Sequence, residues 1–159
     1  MYNPGFRYTF WLRSCSYLSG RFLLSPLYLY VRWRVRICSY KFGIQIPVRT
    51  HIGKGLCIGH FGSIVINPDA VLGSNISILQ GATIGRSQRG PRKGEPVIGD
   101  CVYIGPGAKI IGAVKIGNNV VVGANGVVTK DVPDNAVVAG VPAKIISMKG
   151  STDYIRNPI

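Results

Sequence analysis

The chain has 159 residues, enough for one domain with a short appendage, and its 47% hydrophobic content can supply a continuous core. The formal net charge of +13 predicts anionic partners such as phosphorylated cofactors or anionic lipid, whereas no helical or aromatic-platform motif supports nucleic acid. The four cysteines have no CxxC spacing and no histidine cluster, so neither a disulfide framework nor a metal site is indicated, and reduced thiols are expected.

Residues 1–42 differ from the rest of the chain because aromatic side chains are mixed with arginines. The apolar run 22–31 contains Pro26 and is too short to span a bilayer, and no signal-peptide cleavage site follows it. Two interpretations stay open: short, helical segments that cap the next domain, or an amphipathic segment on an anionic membrane face. We expect a cytoplasmic protein. If the N-terminal segment is amphipathic and binds lipid, the protein would lie at the inner membrane face.

From residue 43 onward, a branched aliphatic residue recurs at every sixth position. A period of six fits neither an α-helix nor a lone strand, but it fits a triangular solenoid in which three six-residue units close one coil. Glycine often follows the aliphatic residue, where it permits the turn at each corner. The predicted axial residues are Ile46, Ile52, Ile58, Ile64, Ile66, Leu72, Ile78, Ile84, Ile98, Ile104, Ile110, Ile116, Val122 and Val128.

The repeat shifts its phase at two places. Ile66 lies eight positions after Ile58, and Ile98 lies fourteen positions after Ile84. The second shift falls in a basic segment without aliphatic residues, so we expect an extruded loop over 86–97. Loops on a rigid repeat scaffold commonly carry function, although a tolerated surface insertion is the simpler alternative.

His60 is the first candidate for chemistry. The chain contains two histidines, His51 and His60, and His60 lies two residues beyond the axial Ile58, outside the predicted core. Imidazole is the side chain best suited to proton transfer near neutral pH, although a lone histidine is usually structural. Position alone therefore leaves a catalytic and a structural role open.

Several segments together resemble the hexapeptide-repeat acyltransferases, in particular serine acetyltransferases and the related enzymes that acetylate cell-surface polysaccharides. The segments are 78–85, the extruded loop, 97–105, 123–133 and 139–144. The resemblance covers about residues 43–146 and leaves a C-terminal tail, 147–159. It implies an all-β solenoid, a left-handed parallel β-helix, assembled as a homotrimer with active sites between neighbouring copies.

The resemblance further implies an O-acetyltransferase that uses acetyl-CoA as co-substrate and no metal. His60 is then the general base that removes the proton of an acceptor hydroxyl as its oxygen attacks the thioester. Gln45 matches an aspartate that orients the imidazole; its amide can fix the tautomer but adds no negative charge. The residues matched to the coenzyme A groove are Gly85, Gly105, Pro106, Ala124, Thr129, Lys130 and Lys144.

The extruded loop departs from the pattern of serine acetyltransferases. Their Arg-His pair, which helps to bind the amino acid, is matched here by Gly94 and Glu95. The candidate substrate-binding residues are Arg89, Arg92 and Glu95, of which the arginines could bind a carboxylate. These departures favour a sugar hydroxyl of a cell-surface polysaccharide or its precursor as the acceptor, with serine O-acetylation in cysteine biosynthesis as the alternative.

Other classes built on such a solenoid fit less well. A zinc carbonic anhydrase needs three imidazoles, and this chain has two histidines. An ice-binding solenoid needs a ladder of threonines along one face, which Thr83 and Thr129 do not form. Acyl transfer from an acyl carrier protein is a further alternative, but the segments around Lys130 and Lys144 resemble those of coenzyme A users.

Overall fold

A computed structural model describes residues 3–19 and 25–155 of the chain. Two helices come first: α1 spans Pro4–Ser19 and α2 spans Pro26–Phe42. Ser25 caps α2 by accepting a hydrogen bond from the Tyr28 N–H, and Gly43 ends the helix in the left-handed conformation, with φ 61°. Part of the predicted apolar run, 22–24, and the end of the predicted tail, 156–159, lie outside the described residues.

The remaining chain forms short strands of two to five residues. They are β1 (Ile44–Gln45), β2 (His51–Ile52), β3 (Cys57–Ile58), β4 (Ile64–Ile66), β5 (Val71–Leu72), β6 (Ser77–Ile78), β7 (Thr83–Gly85), β8 (Val97–Ile98), β9 (Tyr103–Ile104), β10 (Lys109–Ile111), β11 (Lys115–Ile116), β12 (Val121–Val122), β13 (Val127–Val128), β14 (Val137–Gly140) and β15 (Ala143–Ser147).

Three sheets form the three faces of a prism. Face A has the strand order β1-β4-β7-β10-β13, face B has β2-β5-β8-β11, and face C has β3-β6-β9-β12-β14, with β15 antiparallel to β14. From β1 to β13, each third strand returns to the same face, and neighbouring strands within a face are parallel. The predicted left-handed parallel β-helix with a helical N-terminal segment is therefore confirmed.

The pairing register shows what the two phase shifts do. Ile98 pairs with Ile116, 18 residues later, as three six-residue units require. Ile58 pairs with Ile78 across 20 residues, and Leu72 pairs with Ile98 across 26. The shifts therefore lengthen individual coils at their corners, and the strands on each face remain in register.

The predicted axial aliphatics fill the inside of the prism. All of them are buried except Ile52, which is partly exposed near the first coil. Ile44, which the repeat did not include, is also buried, because β1 pairs with β4 through Ile44 and Ile64. Burying each such side chain contributes about 1.5–3 kcal/mol before the loss of chain entropy, so this column is the main source of stability.

The helix pair packs against the first coil. Tyr8 and Leu12 on α1 join the core of the solenoid, and the Tyr8 hydroxyl donates to the Ile46 carbonyl at 3.3 Å and accepts from the Ile46 N–H at 3.2 Å. A Cβ on Gly5 would overlap the carbonyl oxygen of Ile58, so glycine permits α1 to lie directly on β3. These contacts are those that the capping interpretation predicts. Within residues 3–19 and 25–155, no helix is long and apolar enough to cross a bilayer.

Candidate active site

His60 lies exposed in the turn of residues 59–63, which joins β3 on face C to β4 on face A. Gly62 and Ser63 both have positive φ, 113° and 52°, which lets the chain turn sharply at this corner. The ring of Phe61 contacts that of Phe42, the last residue of α2, edge to face with centroids 5.6 Å apart. The end of α2 therefore holds the turn that carries the candidate base.

Gln45 is brought close to this turn by strand pairing. The Ile64 N–H, just after the turn, donates to the Gly43 carbonyl at 3.0 Å, and Gln45 pairs with Val65 in the parallel ladder. The Gln45 side chain is exposed and lines a groove of about 610 Å³ between α2 and face A. Among the described residues, no hydrogen bond joins Gln45 to His60, so the orienting contact is not formed in this structure.

The corner of His60, between faces C and A, continues along the prism. Gly105 and Pro106 occupy it two coils beyond His60, and Ala124 occupies it three coils beyond. At about 4.8 Å per coil, these residues follow His60 over roughly 15 Å. A Cβ on Gly105 would lie 2.9 Å from the Ala124 nitrogen, so glycine keeps the coils close here. Backbone hydrogen bonds of 2.7–3.1 Å connect successive coils at this corner, donated by Gly59, Leu79, Gly105 and Gly123.

Lys144 lies near the far end of the same corner. It is exposed on β15, where it pairs with Ala139 of β14. A Cβ on Gly123 would lie 3.2 Å from that of Ala139, which shows that β14 stacks directly on the preceding coil. The structure thus aligns His60, Gly105, Ala124 and Lys144 along one edge of the prism.

The other candidate cofactor residues lie at the opposite edge of face A. Gly85 ends β7, and the exposed Thr129 and Lys130 follow β13. The extruded loop also leaves the prism from this second corner, directly after Gly85. Within one copy of the chain, the predicted coenzyme A residues are therefore divided between the two corners that border face A.

The extruded loop is closed at its base and rests on the next coil. Ser87 and Gly94 exchange two backbone hydrogen bonds of 3.0 Å, which makes 87–94 a small hairpin-like projection. The Arg92 carbonyl accepts from the Ala113 N–H at 2.9 Å, and the Arg92 guanidinium donates to the Asp131 carboxylate at 2.7 Å. The loop is therefore fixed to the prism by both its backbone and a side chain.

Two of the three candidate substrate residues are already paired with charges of the chain. Glu95 lies 2.9 Å from Arg86 within the loop, and Arg92 lies 2.7 Å from Asp131. The backbone N–H of Lys115 and then the Arg92 guanidinium lower the pKa of Asp131, so this carboxylate stays ionised at neutral pH. Arg89 is exposed, and among the described residues it has no carboxylate partner.

The chain is similar in sequence to known proteins. The family "Bacterial transferase hexapeptide (six repeats)" matches residues 95–130. This part of the chain therefore carries the hexapeptide repeat of bacterial transferases. It is 39% identical over 123 residues to the serine acetyltransferase of Staphylococcus aureus (strain Mu50 / ATCC 700699), an alignment that covers 77% of this chain and 58% of that protein.

Solved structures extend the similarity. A serine acetyltransferase in complex with CoA has a TM-score of 0.75 and 34% identity, and the Neisseria gonorrhoeae enzyme in complex with serine has a TM-score of 0.74 and 39% identity. Each comparison covers 92% of this chain but 58% of the solved chain. The predicted resemblance to serine acetyltransferases is confirmed, whereas these comparisons give no support to the polysaccharide-modifying relatives.

Two features near the candidate site were not predicted from the sequence. Phe61 directly follows His60, but its contact with Phe42 links residues on different elements and has no local signal. Asp131 binds Arg92 across 39 positions of the chain. Among residues 3–19 and 25–155, no group of three or more His, Cys, Asp or Glu side chains could hold a metal ion.

Proposed function

We propose that this chain is an acetyl-CoA-dependent O-acetyltransferase with L-serine as its acceptor. The observation that carries the proposal is the exposed His60, on the same corner of a hexapeptide-repeat prism as Gly105 and Ala124, in a chain similar to serine acetyltransferases. Structures of such enzymes in complex with CoA and with serine support both ligands. Because the chain spans 58% of these relatives, the activity of the whole protein is proposed by analogy.

In the proposed reaction, the serine hydroxyl oxygen attacks the carbonyl carbon of the acetyl thioester. His60 takes the hydroxyl proton as the new C–O bond forms, and the C–S bond then breaks. The imidazolium returns its proton to the leaving thiolate, so the products are O-acetylserine and the free thiol of coenzyme A. General-base catalysis of this kind contributes about 10²–10⁴-fold to the rate.

Gln45 is proposed as a positioning residue, which acts on the reaction only through His60. Its exposed amide lies on the strand next to the His60 turn, so a modest reorientation would let its carbonyl oxygen accept from the imidazole. Such a contact fixes the tautomer that accepts the hydroxyl proton. An amide supplies no negative charge to the imidazolium, so its contribution is expected to be smaller than that of a carboxylate.

Coenzyme A is proposed to lie along the edge of the prism, with its phosphates near Lys130 and Lys144. Both ammonium groups are exposed, and charge-assisted hydrogen bonds to phosphate are stronger than neutral ones. The candidate residues occupy two different corners of one copy. A groove between two copies, with one corner contributed by each, would bring them together.

This division supports a homotrimer, in which each of three identical grooves combines two different corners. Such a head-to-tail contact closes into a ring when the rotation between copies is one third of a turn. Light scattering coupled to size-exclusion chromatography tests it: a mass three times that of the chain is expected. A monomer that turns over acetyl-CoA normally would contradict the shared groove.

A sugar hydroxyl is the second candidate acceptor, favoured by Glu95. This carboxylate occupies one of the two positions matched to the family's Arg-His pair and is already bound to Arg86 at 2.9 Å. A carboxylate at this place cannot bind the carboxylate of serine, as a cation would. A neutral sugar has no carboxylate and needs no such cation.

An acceptor screen distinguishes the two candidates. Thiol release from acetyl-CoA is followed with L-serine, D-serine and a set of neutral and acidic sugars, with His60→Ala as the blank. The proposal predicts L-serine-dependent release, well above that with D-serine. Release with a sugar but not with serine would replace the acceptor, and thiol release that no acceptor raises above the blank would contradict acetyl transfer altogether.

A further inference from the structure

Helix α2 carries apolar side chains on two opposite faces. One face is buried against α1 and the prism, and it consists of Tyr28, Val31, Val35, Cys38 and Phe42. At about 100° per residue, the opposite face points away from the protein. We call this face the outer stripe; it consists of Leu29, Tyr30, Trp33, Ile37 and Tyr40, which are 38–76% exposed. A helix that only caps a solenoid would present polar residues to water here.

The outer stripe continues onto α1 through contacts between aromatic rings. Phe10 contacts Trp11 with centroids 5.2 Å apart, Trp11 contacts Tyr30 at 6.0 Å, and Tyr30 contacts Trp33 at 6.0 Å. Phe6 and Phe10 on α1 are themselves 69% and 53% exposed. The two helices therefore present one connected aromatic surface, larger than the scattered apolar residues that ordinary protein surfaces carry.

Basic side chains flank this surface. Arg32 and Arg36 lie on one side of the outer stripe, Lys41 lies on the other, and all three are exposed. The Arg34 guanidinium stacks 4.9 Å from the Trp11 ring. The first 68 residues contain no aspartate or glutamate, so this end of the chain carries no carboxylate side chain to neutralise them.

We propose that the outer stripe and its flanking arginines bind an anionic lipid surface. An interfacial helix combines aromatic and aliphatic residues on one face with Lys and Arg beside them, and this is the arrangement found here. Aromatic rings insert at the level of the headgroups, and guanidinium groups bind lipid phosphate in bidentate geometry. Arg32, Arg36 and Tyr40 also line the groove of Gln45, so vesicle binding, and not turnover, is the measurement that separates this inference from the proposed acetyl transfer.

A second copy of the chain fits this surface less well. Two outer stripes in contact would bring Arg32, Arg36 and Lys41 of one copy close to the same residues of the other. Residues 1–68 contain no carboxylate side chain that could neutralise these charges. Like charges at such a distance repel, and the repulsion is strongest once water is removed. Lipid phosphate instead supplies the missing anions. Charge complementarity therefore favours the membrane as the occupant.

Vesicle flotation with the full chain tests the apolar part of the surface. The wild type is expected to float with vesicles of phosphatidylcholine and phosphatidylglycerol, and not with phosphatidylcholine alone. Trp33→Ser/Ile37→Ser is expected to weaken this binding by about tenfold or more, because two half-exposed apolar side chains no longer enter the lipid. The matched control is Val71→Ser/Val97→Ser, whose side chains are 38% and 46% exposed on face B.

A second pair of variants tests the charges. Arg32→Gln/Arg36→Gln and the control Lys115→Gln/Lys149→Gln both lower the net charge by two, from +13 to +11. The first is expected to weaken binding to anionic vesicles by roughly thirtyfold, since each basic residue near an anionic leaflet contributes about fivefold. The control, with its lysines at the far end of the prism, is expected to bind nearly as the wild type does.

Three results would overturn the proposal. One is equal flotation with neutral and anionic vesicles, or with neither. Another is an equal loss of binding in the control and test variants, once circular dichroism has shown that all of them are folded. The third combines two observations: the wild type binds no vesicles, and Trp33→Ser/Ile37→Ser has a smaller mass than the wild type in light scattering. The outer stripe would then be a contact between copies.

Discussion

Replacing Tyr8 with phenylalanine tests whether the helix pair stabilises the end of the prism. The Tyr8 hydroxyl makes two hydrogen bonds to the backbone of Ile46, at 3.2 and 3.3 Å, and both residues are buried. Tyr8→Phe keeps the ring but leaves the N–H and the carbonyl of Ile46 without this partner. An unsatisfied buried group costs about 1–3 kcal/mol, and because both bonds are long we expect the lower end, about 2 kcal/mol in total.

The loss in the free energy of unfolding is measured by urea denaturation, with tryptophan fluorescence as the probe, since Trp11 and Trp33 lie on the two helices. For a chain of this size, about 2 kcal/mol corresponds to a fall in the unfolding temperature of roughly 4–8 °C. The matched control is Tyr28→Phe, which removes the same oxygen from a residue buried in the separate cluster of the helix pair. Equal stability losses in the two variants would refute the role of the Ile46 contact.

The pH dependence of the same variants gives an independent check. Burial is the main cause that raises the pKa of Tyr8 above its usual value near 10. The folded chain therefore keeps the phenol proton to a higher pH than the unfolded chain does, so this contribution is complete below about pH 10 and is lost as the pH rises further. Above pH 10, the wild type should lose stability more steeply than Tyr8→Phe. Parallel curves would contradict this reasoning.

The docked loop and the close coil stacking give two more predictions. Asp131→Asn removes the carboxylate that Arg92 binds at 2.7 Å; we expect little loss of stability, because both side chains are half-exposed, but a several-fold rise in the KM for the acceptor. An unchanged KM in steady-state kinetics would exclude the loop from acceptor binding. Gly73→Ala places a Cβ 2.6 Å from the Gly99 carbonyl oxygen, so thermal unfolding should show a loss near 3 kcal/mol. Gly90→Ala, at the open loop tip, should lose about 1 kcal/mol from its positive φ alone, and equal losses would contradict the stacking argument.

The prism could be predicted because its stabilising residues repeat at one fixed spacing. Within each face, the aliphatic residue of one coil pairs with that of the next coil, as Ile58 does with Ile78, and a slip of one residue would turn the whole set outward. The start of the prism was less predictable. The repeat placed the first axial residue at Ile46, whereas β1 begins at Ile44, because its partner strand contains two buried isoleucines, Ile64 and Ile66.

The candidate site was predictable only where a local segment carries it. His60 could be found because it follows the axial Ile58 by two residues and is one of two histidines in the chain. The contact of Phe61 with Phe42 and the binding of Asp131 by Arg92 depend on how α2 and the loop pack against the prism. Such contacts join distant parts of the chain, so the spacing of residue types contains no signal for them.

The central claim is that His60 is the general base. The most direct test compares the kinetics of His60→Ala with those of His51→Ala. Both histidines are exposed on the first coil, so the two variants remove the same group from similar surroundings. Thiol release from acetyl-CoA in the presence of L-serine should fall by at least about 10²-fold in His60→Ala, at unchanged unfolding temperature, and stay near the wild-type value in His51→Ala. Wild-type turnover in His60→Ala would contradict the account.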